Sequence, residues 1–411
     1  MHGFTPVRQG NTTSEHADYT RILCQVKAGT REVKLLTLHS FFSTFLFNPS
    51  LCPLLEGLMT DFKAEDNVGT IAVQERHQFD VNALQSYMEE NVKGFSGELS
   101  VEEFAGGQSN PTYMLTANGQ SYVMRRKPPG ELLKSAHAVD REYRILTALQ
   151  DADVPTAKTY AMCTDDSVVG TWFYVMEYLD GRVIWDATAG PYAPRERGEF
   201  WDSANDAIAR LHNVDFTAVG LSDYGKHSDY LQRQLSRWGG QYEYTKTEDN
   251  PYMDNLIEYL PKNIPDDDSC TIVHGDPQIA NMMMHAERNE VIGILDWELS
   301  TLGSPLSDFA YLCRPYRDAL RGADLAALGI PSEEAYVEAY CKRTGRSGID
   351  NWDYYLAFNM FKLAAILQGI AKRVLDGTAA SERAVAAGAG AMNMAKTAWA
   401  QIDKSVILDD V

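Results

Sequence analysis

Residues 272–312 read IVHGDPQIANMMMHAERNEVIGILDWELSTLGSPLSDFAYL. MMMH (282–285) and VIGILD (291–296) are strand-like runs joined by AERNE, a polar turn. A hairpin centred between residues 288 and 289 sets Asn281 opposite Asp296 at its open end. The register matters, because a slip of one residue would turn one of the two to the other face. Asp276 lies five residues before Asn281. Phosphoryl transfer from ATP needs little covalent help. It needs a carboxylate to orient or deprotonate an attacking hydroxyl, and hard oxygen ligands for Mg²⁺. Asp276 suits the first task, and Asn281 and Asp296 supply oxygen for the second. An ordinary hairpin explains any one of these residues alone. It does not readily explain His-Gly-Asp, the following Asn and the terminal Asp-Trp together.

Upstream, the chain is regular from about Gln78. Val81, Leu84, Met88 and Val92 recur at helical spacing over 80–93. LSVEEF (99–104), TYMLTA (112–117) and SYVMRR (121–126) read as strands, the last two joined by Asn118-Gly119, a pair that tolerates positive φ. A helix over 137–149 and the strand WFYVMEYL (172–179) follow. Beyond residue 190 the chain is mostly helical, with one apolar stripe (Tyr354, Phe358, Phe361, Ala365, Ile366) along 353–375. The expected architecture is α+β and bilobal: a small antiparallel β lobe with one helix (74–180), then a larger, mostly helical lobe (181–411). Residues 1–73 form an extension of uncertain structure.

Composition narrows the partners. The 411 residues carry 37 Lys plus Arg against 57 Asp plus Glu, a net charge of −20. Such a surface repels phosphate backbones and anionic lipid, which argues against nucleic acid and membrane. Residues 35–59 are apolar, but His39, Asn48, Pro49, Pro53 and Glu56 interrupt them, against a membrane span. The six cysteines include no Cys-x-x-Cys pair, which fits a reducing, cytoplasmic setting.

HGDPQIAN, ILDWE and GSPLSDFAYL together resemble the aminoglycoside phosphotransferase family, within the protein-kinase-like superfamily. FAGGQSNPTYML (104–115), YVMRRKPPG (122–130), HAVDREYRIL (137–146) and AIARLHNVD (207–215) extend the resemblance, which covers about residues 75–400. These pieces are most similar to the kinase-like domains attached to some acyl-CoA dehydrogenases. The resemblance implies a protein-kinase-like fold, with Asp276 as catalytic base and Asn281 and Asp296 on Mg²⁺. His274 would prop the catalytic loop. Asp308 would brace it, although a helix N-cap explains Asp308 as well. On the ATP side, Gly107, Ser109 and Asn110 lie in a loop whose amides could approach phosphates, and a plain hairpin loop is the alternative. Arg125 would stand where the family has a phosphate-contacting lysine, with Arg126 and Lys127 competing, and Glu142 would be its partner. Glu177 and Tyr178 fall in the hinge whose backbone would read adenine.

Only 11 residues separate Asp296 from Asp308, which leaves little room for the long activation segment of protein kinases. Trp297-Glu298 also replaces their Phe-Gly. The expected activity is therefore ATP- and Mg²⁺-dependent phosphorylation of a small-molecule hydroxyl. By branch, a hydroxyacyl-CoA or hydroxy acid is favoured over an aminoglycoside. A wall near Arg233, Arg237, Trp238 and Arg314 is the candidate acceptor surface, and core packing or surface pairing would explain those residues equally. The competing reading is a pseudokinase that binds nucleotide or a partner without turnover.

Overall fold

The structure is a computed structural model that describes residues 69–105, 110–129, 138–378 and 382–408. The extension up to residue 68, with its apolar run 35–59, lies outside the described residues, as do Gly107 and Ser109.

The first lobe is one antiparallel sheet with helices against it. In chain order its elements are β1 (Thr70–Ile71), α1 (Val81–Asn91), β2 (Ser100–Phe104), β3 (Thr112–Ala117), β4 (Gln120–Arg126), α2 (Val139–Leu149), β5 (Thr159–Cys163) and β6 (Phe173–Glu177). The strand order is β1-β2-β3-β4-β6-β5. Helix α1 starts where the Asp80 carboxylate accepts the amides of Asn82 and Ala83. Its Leu84 and Met88, one turn apart, are fully buried in a cluster with Tyr113, Leu115, Met124 and Phe173 of the sheet. Each such side chain contributes roughly 1.5–3 kcal/mol. The β3–β4 turn holds Asn118 at φ 49° and Gly119 at φ 78°, as the Asn-Gly pair requires.

Two features differ from the sequence reading. The chain joins this lobe before residue 74: β1 pairs with Glu103 and Phe104. The buried Glu103 carboxylate then gathers the Gln74 amide at 3.0 Å, the Gln74 side chain at 2.7 Å and His77 at 2.7 Å. Secondly, α2 lies between β4 and β5 in sequence, yet its Val139, Ile145, Leu146 and Leu149 belong to the larger core that includes the helical lobe.

The second lobe contains β7 (Gly181–Val183), α3 (Pro194–His212), α4 (Tyr230–Thr245), α5 (Pro251–Tyr259), β8 (Thr271–Val273), β9 (Met282–His285), β10 (Val291–Ile294), β11 (Thr301–Gly303), α6 (Pro305–Cys313), α7 (Glu333–Thr344), α8 (Trp352–Leu375), α9 (Glu382–Ala389) and α10 (Ala391–Ile402). Its strands form a three-stranded sheet, β10-β9-β7, and a two-stranded one, β11-β8. The expected stripe on α8 is instead a full circumference, since every residue from Tyr354 to Ile370 is buried. A helix enclosed this way is the axis of its lobe.

The expected hairpin forms, with a corrected register. Ile294 pairs with Met282 and Val291 with Met284, with a shift between Val291 and Gly293. The Leu295 amide donates to the Asn281 carbonyl at 2.8 Å, so Leu295, and not Asp296, stands opposite Asn281. The irregularity inserts a residue that alternation alone does not reveal. Asp296 then takes φ 65°, a left-handed conformation that redirects the chain at the strand end. Among the described residues no helix is long and apolar enough to cross a membrane.

Candidate active site

The loop after β8 is built from the backbone outward. Asp308, in the first turn of α6, accepts the His274 amide at 2.7 Å and the Gly275 amide at 2.8 Å. It is a brace and not the helix cap, because Ser304 caps α6 by accepting the Ser307 amide. Behind Asp308, the His212 imidazole donates from Nε2 at 3.2 Å and accepts the Tyr340 hydroxyl at Nδ1 at 2.7 Å. Gly275 has φ 86°, and a Cβ there would stand 2.6 Å from the Leu299 carbonyl oxygen. No other residue fits that place without displacing backbone. The Gly275 carbonyl in turn accepts from Lys362 Nζ at 2.8 Å.

His274 is fully buried. Its Nε2–H donates to the Leu295 carbonyl at 2.8 Å, and Nδ1 faces the Asp276 amide at 3.3 Å. These partners select one neutral tautomer, and burial holds its pKa below the ordinary value. The histidine thus ties the loop to the end of β10, as a prop should.

Asp276 is 1% exposed. Its Oδ2 accepts from Gln278 Nε2 at 2.9 Å and Asn281 Nδ2 at 3.2 Å. No donor among the described residues reaches Oδ1 in hydrogen-bonding geometry, although that atom is buried. Burial pushes the carboxyl up to about 7; Lys362 opposes the shift and Asp296 adds to it. A carboxylate poised there can accept a proton near neutral pH. Asn281 Nδ2 also donates to the Asp276 carbonyl at 2.9 Å. With its nitrogen so committed, the amide oxygen of Asn281 remains as the donor atom for a cation.

Arg125 reaches this region from β4. It pairs with Glu142 at 2.9 Å, Asp296 at 3.0 Å and Glu298 at 3.8 Å. Burial disfavours its charge, but Glu142 and Asp296 outweigh that effect and lift the guanidinium above its usual pKa. Of the three candidate cations, then, only Arg125 meets Glu142. Arg126 turns the other way, donating to Thr171 at 3.0 Å and to the His77 carbonyl at 3.1 Å. Lys127 sits 4.1 Å above the Trp172 ring.

Glu142 also accepts from Asn110 Nδ2 at 3.0 Å and the Tyr174 hydroxyl at 3.0 Å. The Asn110 side chain is thus a buried support of the ion pair, a role separate from the one expected of its loop's backbone amides. The Glu177 amide donates to the Lys158 carbonyl at 2.7 Å, and its carboxylate accepts the Lys158 amide at 3.2 Å. Glu177 therefore ends β6 between β4 and the start of β5, while Tyr178 beyond it is 36% exposed.

Asp276, Asn281, Asp296, Arg125 and Glu142 are thus linked by direct contacts and mutual electrostatics. Several neighbours are not apparent from sequence motifs. Glu298 has its pKa pushed up to about 8 by burial and by Asp296. Gln278 and Tyr311 lie against Asp276. Lys362 left one readable trace: a lysine inside the apolar run FNMFKLAAIL. With hard oxygens on Asn281, Asp296 and Glu298, the donor set suits a cation such as Mg²⁺.

The phosphotransferase enzyme family profile matches residues 100–353. This chain belongs to that family. Acyl-CoA dehydrogenase family member 10 of Mus musculus is 41% identical over 328 residues, covering 77% of this chain and 31% of that protein. The chain spans less than half the length of the curated relatives it matches first. A Ralstonia eutropha protein, provisionally named an aminoglycoside phosphotransferase, superposes with TM-score 0.75 at 48% identity, covering 80% of this chain and 99% of that one. An aminoglycoside phosphotransferase crystallised with AMP-PNP and hygromycin B has TM-score 0.51 at 12% identity, covering 77% of this chain and 98% of that one. That last likeness is one of fold. This chain shares its protein-kinase-like architecture with these two solved structures.

Proposed function

We propose that this family member transfers the γ-phosphoryl group of ATP to a hydroxyl of a small molecule. The observation that carries the reading is Oδ1 of Asp276: a buried carboxylate oxygen that makes no hydrogen bond of good geometry, with the Tyr311 hydroxyl against the carboxyl, on a loop fixed by Asp308, His274 and Lys362. The acceptor hydroxyl donates to that oxygen. As the new O–P bond forms and the bond to the ADP oxygen breaks, the hydroxyl proton passes to Asp276. Arg125, held by Glu142, offers a forked cation to the phosphates. Asn281 and Asp296 would hold Mg²⁺, which neutralises charge on the phosphates. On this reading the lobe of residues 74–180 holds nucleotide, and residues 181–411 supply the base and the acceptor wall.

For the acceptor, we take a hydroxy acid or hydroxyacyl-CoA over an aminoglycoside. The support is the likeness to proteins named as acyl-CoA dehydrogenase family members. The test is a metabolite mixture incubated with ATP and Mg²⁺ and searched by mass spectrometry for compounds that gain one phosphate, with Asp276→Ala as control. Tight nucleotide binding with no phosphorylated product from a broad acceptor panel would favour the pseudokinase reading.

A further inference from the structure

Beside Asp276 lies a cavity of about 30 Å³, lined by Trp185, Asp186, Gln278, Tyr311, Arg314 and Asp318 among others. That is room for one or two water-sized groups. Gln278 binds the Asp276 carboxylate, so the cavity and the base share a wall. Arg314, directly after α6, is 2% exposed. One terminal nitrogen of its guanidinium pairs with Asp318, while its Nε is buried with no partner. The other acid on the wall is occupied: Asp186 accepts from the Thr188 amide at 2.8 Å and the Thr188 hydroxyl at 2.6 Å. Arg314 and Asp276 lie close enough to act on each other's charge.

The neighbourhood thus holds two buried orphans of opposite kind. Oδ1 of Asp276 makes no hydrogen bond of good geometry, although the Tyr311 hydroxyl lies against the carboxyl, and Nε of Arg314 lacks an acceptor. Buried polar atoms without partners are rare and ask for an occupant. A molecule that completes both carries a hydroxyl and a carbonyl or carboxylate oxygen. We infer that Arg314 is the residue that reads the acceptor: its Nε–H donates to the acyl or carboxylate oxygen of a hydroxyacyl compound whose hydroxyl meets Asp276. This rests on the phosphotransferase reading for its chemistry, but not for its test. A site built to hydrogen-bond one group rejects the analogue lacking it, because the site's own buried atom is then left unpaired.

The experiment titrates the full chain, loaded with Mg²⁺ and AMP-PNP, with hydroxyhexanoate isomers, their N-acetylcysteamine thioesters, and the matching hexanediols, which lack the acyl oxygen. The expected result is that an acyl probe binds about 10- to 100-fold tighter than its diol. In the double variant Arg314→Met, Asp318→Asn, acyl probes fall to the diols' level while AMP-PNP affinity holds. The double change avoids stranding a buried charge. Arg314→Lys, which keeps a cation for Asp318 and loses the second donor, serves as the gentler version and should also lose the preference. Equal binding of the two series, no binding of either, or a preference that survives both variants overturns the assignment. Transfer from ATP is read separately on the same probes. Preferential binding without any phosphorylated product would sink the phosphotransferase reading and leave Arg314 standing. Phosphorylation of acyl probes and diols alike, with equal affinity, would sink Arg314 alone.

Discussion

The loop His274–Asp276 and the strand residue Arg125 meet at one site but are held there differently. The loop takes backbone hydrogen bonds from Asp308, Asn281, Lys362 and the His274 ring, all buried within the helical lobe. Arg125 comes from the sheet and is held by carboxylates: Glu142 from its own side, Asp296 and Glu298 from the other. Backbone anchoring fixes a loop whatever is bound. On the proposed function, an ion pair to a prospective metal ligand would have to be exchanged when a cation and a triphosphate arrive. On that function, the catalytic side would be set before substrate enters, and the nucleotide side would be set by substrate.

The sharpest way to test that contrast is Asp276→Ala. Removing the base should slow transfer by about 10²- to 10⁴-fold while nucleotide affinity, followed by titration calorimetry, is retained. Arg125→Met should act mainly on the other term. It leaves Glu142 dry and without a counter-charge, a loss of about 3–5 kcal/mol readable by urea unfolding, together with weaker nucleotide binding. Asp308→Asn keeps the shape of the brace but not its charge. It should lower stability by about 1.5–3 kcal/mol and reduce kcat with little change in KM for ATP.

Asp276 also predicts a pH dependence. A base must be unprotonated to act, and this carboxyl is pushed up to about 7. Below that pH, kcat/KM should fall about tenfold per unit, and above it should level off. A profile flat down to pH 5 would contradict the assignment. Smallest is Gly119→Ala. At φ 78° with no neighbour within 4 Å of the added carbon, only backbone strain enters. A loss of about 1 kcal/mol in unfolding, with kinetics unchanged, is expected.

Much of this contrast was legible in the sequence. The strands and the Asn-Gly turn follow from alternation and local φ preference, which need no tertiary knowledge. The spacing of Asp276, Asn281 and Asp296 singled out residues that the fold does bring together. Their register was not legible, because an irregularity between Val291 and Gly293 and a left-handed Asp296 are decided by packing. The run Arg125-Arg126-Lys127 could not be resolved from sequence, since what separates the three is which face of β4 meets Glu142. The buried roles of Asn110, Lys362 and Arg314 were hidden for a related reason. A polar residue placed under a loop has no periodicity of its own.

Asp296 is followed by Trp297, whose indole N–H donates to the Ile294 carbonyl at 2.8 Å and whose ring meets the His274 ring edge-on at 4.9 Å. An aromatic fastened at both ends acts as a rivet. The carboxylate before it has no easy swing outward, and no glycine follows to supply one. An enzyme of this kind would have no idle posture at its ion-holding residue.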